Sequence, residues 1–328
     1  MNNIIYDKFG RQLKYLRISV TDRCNFRCVY CMPSNNFEHI QCNEILRYED
    51  IIFIAEAFAE LGVNRIRVTG GEPLVRRDIC SLLDKLTKID GIGEVMLTTN
   101  GALLQKYAEP LYEAGIRRLN ISLDTLKKDR CAYITGVDKF DHVMAGIRTA
   151  ALTGFSPIKV NAVVIRGFND DELENFCRFA ADENIIVRFI EFMPIGNSSR
   201  WNKDSIVTGG EILQRISSFE PKLLKKDENS GPAQNYRLNN GATIGIITPI
   251  SRHFCNECDK LRITSDGKIR PCLLSDKEIS LVEAVNARDK ELVKQLITEA
   301  VTTKGREHEV SAGDKNEKFT RTMSKIGG

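Results

Sequence analysis

No window of this 328-residue chain approaches the ~18 uninterrupted apolar residues of a membrane span. Residues 1–15 carry charges but no apolar core segment, so they do not read as a secretory signal, and the expected compartment is the cytoplasm. Charge of one sign is also scarce. The 47 basic and 44 acidic residues leave +3, too mild for a general nucleic-acid binder, although a few local Arg and Lys side chains can still hold an anionic small molecule. Ten cysteines, about 3% of the chain, fall far short of a secreted disulfide scaffold. In a reducing cytoplasm such cysteines are metal ligands or small buried hydrophobes rather than disulfides. What remains, 42% hydrophobic and 28% charged residues, is the composition of a soluble globular protein, and disorder, collagen-like repeats and a coiled-coil rod are excluded. The length suits one large domain or two modest ones, burying about three quarters of the unfolded surface.

The first two thirds alternate strand-like and helix-like stretches. Short runs rich in Ile, Val and Leu predict strands at 13–20, 65–69, 94–99, 118–123, 158–165 and 186–193. Helices are expected at 48–61, 78–89, 103–114, 140–152 and 171–183. Ile51, Ile54, Ala55 and Phe58 form one apolar stripe, and Asp170 and Asp171 read as an N-cap and first-turn charge. About six strand–helix units imply parallel strands with right-handed crossovers, too few for a closed eight-unit barrel. An incomplete barrel and an open doubly wound sheet both fit, and in each the working edge is where the strands end. Polar residues and glycines gather there: Thr69–Glu72, Thr98–Gly101, Ser122 with Asp124, and Glu191 with Met193. Singly these are turn chemistry; their recurrence at one edge favours a shared site. After about Trp201 the rhythm changes. The stretch 225–232 reads as a loop, 236–238 and 243–248 as a strand pair around Asn239, Asn240 and Gly241, 281–300 as an amphipathic helix, and 304–328 as a flexible tail.

Cys24, Cys28 and Cys31 form C-x3-C-x2-C just after the first strand. Zinc usually takes two C-x2-C pairs, whereas a [4Fe–4S] cluster takes four cysteines, so three leave one iron open to an exogenous molecule. Cys255, Cys258 and Cys272 form a second trio, C-x2-C-x13-C. Spacing alone leaves two readings open here: a second cluster, or part of a zinc ribbon with His253 as candidate fourth ligand. Cys42, Cys80, Cys131 and Cys177 are scattered, and Cys80 and Cys177 read as core residues.

The first trio resembles the signature of the radical S-adenosylmethionine superfamily, and Gly70-Gly71-Glu72-Pro73 is similar to that superfamily's GGEP motif. The lead-in from Leu16 and Arg17 to Cys24, the run from Phe254 through Arg262, Asp266 and Gly267 to Cys272 and Leu273, and the terminal Gly327-Gly328 carry a closer resemblance, to the GTP 3′,8-cyclase family that opens molybdenum cofactor biosynthesis. The resemblance spans essentially the whole chain. It implies an incomplete parallel (βα)6 TIM-like barrel over residues 1–205, a smaller C-terminal region over 206–303 covering the open side, and a flexible tail over 304–328 ending in Gly-Gly that reaches into the active site. It implies two [4Fe–4S] clusters, on Cys24, Cys28 and Cys31 and on Cys255, Cys258 and Cys272, with S-adenosylmethionine on the open iron of the first and the guanine of GTP facing that of the second.

The remaining implied roles are binding roles; no protein nucleophile or acid–base group is required, because a 5′-deoxyadenosyl radical takes the hydrogen from ribose C3′ and the new radical attacks guanine C8. Tyr30 (through its backbone), Gly71, Ser122 and Met193 match contacts to S-adenosylmethionine. Arg17, Arg67, Thr98, Lys159, Lys260, Leu261 and Arg262 match contacts to GTP, guanidinium forks being suited to phosphate. Position 260 departs from the family, which usually has Arg; Lys keeps the charge and loses the bidentate fork. Asp22, Arg23 and Arg188 stay open as ligand contacts. The resemblance further implies a homodimer, a reductant such as flavodoxin or ferredoxin, and delivery of the product to cyclic pyranopterin monophosphate synthase, with no nucleic-acid or membrane partner. Two competing readings are a peptide-modifying radical enzyme with an auxiliary cluster and a zinc-ribbon nucleic-acid binder; iron and zinc content separates them.

Overall fold

The computed structural model describes residues 4–32, 38–195, 203–226, 231–308 and 320–327. Trp201, Gly328, and parts of the expected 225–232 loop and 304–328 tail lie outside them. The six expected strands form as β1 (Tyr15–Ser19), β2 (Arg65–Thr69), β3 (Glu94–Thr99), β4 (Leu119–Ser122), β5 (Ile158–Val164) and β6 (Ile186–Glu191), each paired in parallel with the next. Between them run α1 (Tyr48–Glu60), α2 (Ile79–Thr87), α3 (Leu104–Glu113), α4 (Lys128–Thr135), α5 (Phe140–Thr153) and α6 (Leu173–Asp182). Leu16 and Ile18, Ile66 and Val68, Leu119 and Ile121, and Val187 and Phe189 share one buried core with the helices. The stripe Ile51, Ile54, Ala55 and Phe58 is fully buried in it. Side chains at alternate strand positions therefore face the other way, into the barrel.

The region after 206 joins the same sheet at both edges. It contributes α7 (Gly209–Arg215), then β7 (Lys222–Leu223), β8 (Gln234–Arg237), β9 (Thr243–Ile247), β10 (Lys260–Ile263), β11 (Lys268–Arg270) and β12 (Ile279–Ser280). β9 pairs in parallel with β6, and β10 pairs in parallel with β1. The result is one twelve-stranded sheet in the order β12-β11-β10-β1-β2-β3-β4-β5-β6-β9-β8-β7, not a closed barrel. The hairpin around Asn239–Gly241 forms as expected, β8 antiparallel to β9.

Four local expectations are corrected. The helix expected over 281–300 is two, α8 (Val282–Asn286) and α9 (Lys290–Thr302), because Arg288 adopts φ +54° and the Asp289 side chain caps the second helix by accepting from Leu292 N at 2.9 Å. Asp170 and Asp171 do not cap α6: Asp170 accepts from Gly167 N, and Asp171 pairs with Lys127 and Arg130. α4 and α7 were not anticipated, since the short, charged sequence of α4 carries little apolar periodicity. Residues 304–328 are not a loose tail throughout. Lys304 is buried, and α10 (Met323–Ile326) packs Ile326 against Ile195, Ile250 and Leu274. Among the described residues, no helix is long and apolar enough to cross a membrane.

Candidate active site

The first cysteine loop leaves the C-terminal end of β1 and is held from three sides. Arg27 N and Val29 N donate to Thr135 O and Ile134 O at the end of α4. Gly71 N donates to Thr21 O at 2.6 Å, and a Cβ on Gly71 would lie 2.4 Å from Arg23 O, so only glycine lets the GGEP turn seat against this loop. Tyr30 Oη donates to Asp124 at 2.7 Å, and Asp124 also accepts from Val163 N on β5. Glu72 is fully buried, accepting from Leu74 N, Thr99 Oγ1 and Asn100 N; burial nevertheless pushes its carboxyl up to about 7. Burial likewise raises Asp124 to about 6. Ser122 ends β4 beside this loop, and Met193 follows β6 and packs onto the cluster that contains Ile326.

The thiols of this loop cannot ionise unaided. Burial pushes Cys24 up to about 11 and Cys31 to about 12, and Cys28 is raised well above the usual thiol range by burial and by its neighbours Cys31 and Asp124. Asn100 Nδ2 approaches Cys24 Sγ at 3.8 Å, and the backbone at Ser324 in α10 donates toward Cys31. A metal centre held by these three thiols would supply the missing positive charge. Two thiolates on one zinc lie at most about 4.6 Å apart. Among the described residues, only His253, Cys255 and His308 have all their ligand atoms within 4.8 Å of one another. Neither trio is that tight, so neither is arranged as the cysteine set of a single zinc ion. The candidate zinc set is also redrawn: His253 lies with His308, its ring 4.1 Å away, rather than with Cys258 and Cys272.

The second trio sits at the opposite end of the strands. The β10–β11 hairpin carries Cys258 just before β10 and Cys272 just after β11, and a one-turn 3-10 helix holds Cys255. The three cysteines line a cavity of about 480 Å³ together with Arg11, Lys304 and His308. Arg11 ties the N-terminal segment to this site through Cys255 O at 2.6 Å and Gly305 O at 2.6 Å. Here cations are present. Lys304 and Lys260 hold the Cys258 thiol below its usual range against the opposing effect of burial.

The five residues of β1 place on the order of 15 Å between the two sites. The barrel face between them is basic. Arg262, Arg17 and Arg67 align at one register across β10, β1 and β2, with Lys260 beside Tyr15 one step nearer the second trio. Lys159 on β5 and Arg188 on β6 face the same interior, and Thr98 lies opposite Asn120 on β4. Burial depresses all the strongly shifted cations: Arg17 falls well below its usual range, Arg188 to about 10, and Lys159 to about 7, the last helped by Arg188, Arg118 and Arg67. The buried atoms Thr98 Oγ1, Asn161 Oδ1, Arg188 Nε and Asn235 Oδ1 have no hydrogen-bond partner. Packed cations and the unsatisfied donors are unfavourable until an anion meets them, and the two amide oxygens until a ligand N–H or O–H donates to them.

Of the residues matched to GTP contacts, Leu261 turns its side chain away: it is buried in the core on the outer side of β10, so only its backbone borders the interior. Asp22 and Arg23 brace the loop, accepting from Ile40 N and approaching Cys42 respectively, while Arg188 does face the cavity. Glu72 and Asp124 were noted only as part of the polar strand-end runs, and Asn161, Asn235, Arg11 and Lys304 were not singled out; alternation of polar with apolar residues along β5 was the available signal for Asn161. The chain's last described residue also belongs here. Arg321 pairs with Asp266 and Glu278, α10 follows, and Gly327 at φ +79° offers its carbonyl to Arg262 at 3.2 Å. A Cβ on Gly327 would come within 2.6 Å of Ser19 Cβ and 2.7 Å of Thr69 Oγ1.

Residues 18–180 match the radical SAM superfamily, and residues 185–310 match the family described as Molybdenum Cofactor Synthesis C. Among solved structures, the fold is similar to Streptococcus suis SuiB bound to S-adenosylmethionine (TM-score 0.61, 18% identity, 87% of this chain and 66% of that one) and to native anSMEcpe with bound AdoMet (TM-score 0.57, 17% identity, 85% and 81%). Fold and sequence together define a radical S-adenosylmethionine enzyme. Proteins named GTP 3′,8-cyclase are similar over nearly the full length: 46% identical in Moorella thermoacetica and 42% in Alkaliphilus oremlandii, each over 98% of this chain and 99% of the relative. The chain belongs to the GTP 3′,8-cyclase family.

Proposed function

We propose that the chain converts GTP to (8S)-3′,8-cyclo-7,8-dihydroguanosine 5′-triphosphate, the first step of molybdenum cofactor biosynthesis. The observation that carries this reading is the pair of cysteine trios at opposite ends of β1 and β10 with a buried basic face between them. Cys24, Cys28 and Cys31 would hold one [4Fe–4S] cluster, and Cys255, Cys258 and Cys272 the other. With S-adenosylmethionine bound, the first centre supplies a low-potential electron and so a carbon radical able to take the ribose C3′ hydrogen.

The protein's part is placement. Gly71, Ser122, Met193 and the Tyr30 backbone line the first end and hold S-adenosylmethionine. Arg17, Arg67, Lys159, Lys260 and Arg262 neutralise the triphosphate, Thr98 adds a hydroxyl, and the Leu261 backbone borders the same channel. Arg188 joins this set. Arg67, Arg188 and Arg262 are buried and the rest of the face half-buried, which limits water and strengthens each charge contact. A low-potential flavodoxin or ferredoxin fits as reductant, cyclic pyranopterin monophosphate synthase as recipient of the product, a homodimer as the assembly and the cytoplasm as the compartment.

The test is anaerobic incubation with GTP, S-adenosylmethionine and dithionite. 5′-Deoxyadenosine should form in proportion to GTP, together with the cyclised nucleotide. Equal 5′-deoxyadenosine with and without GTP, and GTP recovered intact, would refute the assignment.

A further inference from the structure

Lys304 is a buried ammonium with no carboxylate to meet it among the described residues. It is 3% exposed. Its Nζ lies 2.7 Å from Pro271 O, 2.9 Å from Lys260 O and 3.5 Å from Cys258 Sγ, and these three acceptors use all three of its donors. Pro271 and Lys260 flank cysteines of the second trio, so the side chain clasps both strands of the hairpin that carries Cys258 and Cys272. Lysine is seldom buried so completely without a compensating anion.

A [4Fe–4S] centre on three thiolates supplies that anion. The oxidised core carries about +2, so with three thiolates the assembly is about −1, and about −2 after one electron is added. An ammonium donating to one of the ligating sulfurs favours the more negative form and raises the reduction potential. The first trio has the opposite setting, with the buried carboxyls Glu72 and Asp124 beside it.

We propose that Lys304 is a positioning residue for the second centre, whose ammonium, donated to Cys258 Sγ, holds that centre's potential above that of the first. This rests on the assignment of Cys255, Cys258 and Cys272 to a cluster. It gives the two ends of the channel different tasks: the first centre is the stronger reductant, and the second retains its electron while it holds substrate.

The experiment is an EPR-monitored redox titration of the anaerobically reconstituted full-length enzyme. The first centre is recognised by the change in its signal on adding S-adenosylmethionine and serves as internal control. Lys304→Met should lower the ratio of reduced to oxidised second centre about tenfold at the unmodified midpoint, a shift of about −59 mV for one electron, with the first centre unmoved. Lys304→Arg, which keeps the charge, should stay near the unmodified value. If Lys304→Met does not assemble its second centre, Lys304→Gln replaces it, keeping a donor and dropping the charge, with the same negative shift expected. An unchanged second-centre potential in the charge-free variant overturns the proposal and leaves the cluster assignment standing. Only about four irons per chain in the unmodified protein, with no second EPR signal, overturns both.

Discussion

At the C-terminal ends of the strands, Cys24, Cys28 and Cys31 are half-buried beside the buried carboxyls Glu72 and Asp124, and their thiols are pushed up. At the other end, Cys258 lies against Lys304 and Lys260, and its thiol is held down. Cysteine spacing alone makes the two trios look alike. What separates Cys258 from the first trio is the charge that the surrounding strands and loops bring; Cys255, without an ammonium against its sulfur, is pushed up by burial as the first trio is.

Removing one ligand at each end is the strongest way to break the comparison. Cys24→Ala and Cys272→Ala should each reduce iron from about eight to about four per chain. The first should abolish 5′-deoxyadenosine formation; the second should keep a residual reductive cleavage and lose the cyclised nucleotide. Normal product from Cys272→Ala would end the two-site account. Next in size is the tail that lies between the two sites. Gly327→Ala forces a Cβ into Ser19 and Thr69 at a left-handed φ, a strain of about 1–3 kcal/mol, so kcat should fall roughly tenfold or more with iron content unchanged. Arg321→Met, which unlatches α10 from Asp266 and Glu278, should do the same. Full turnover in both variants would remove the tail from the site.

Two smaller effects sharpen the basic side. Lys260→Ala should raise the KM for GTP about tenfold, the size of one charge-assisted contact, and leave kcat nearly unchanged; an unaltered KM removes Lys260 from the site. Burial, helped by Arg188, pulls Lys159 down to about 7. A bound triphosphate favours the ammonium and raises that value. GTP binding near pH 7 should therefore take up a fraction of a proton, and affinity should weaken as pH rises from 7. Calorimetry in two buffers of different ionisation enthalpy reads the uptake directly, and Lys159→Arg should abolish it.

Much of the fold was legible because burial on the outer face of the strands demands it. Ile66 with Val68 and Val187 with Phe189 mark β2 and β6 without any tertiary information. The trios were legible because sulfur ligands must be close in sequence to share a loop. The rest depends on partners remote in the chain. Nothing near Lys304 in sequence shows that it will meet Cys258 across 46 residues, and nothing in Arg321 foretells Asp266. α4 stayed hidden because it is held by the cysteine loop packed on its end rather than by an apolar stripe of its own.

β9 and β10, which flank β6 and β1, lie more than fifty residues beyond the last of the six central strands and so emerge from the ribosome late. Until then both margins of the six-stranded half are bare rows of amide and carbonyl groups, ready templates for another nascent chain. A polypeptide interrupted before residue 243 keeps those margins, so it should precipitate rather than persist as a half-enzyme, and assembly of the second centre has to wait until Cys272 has been made.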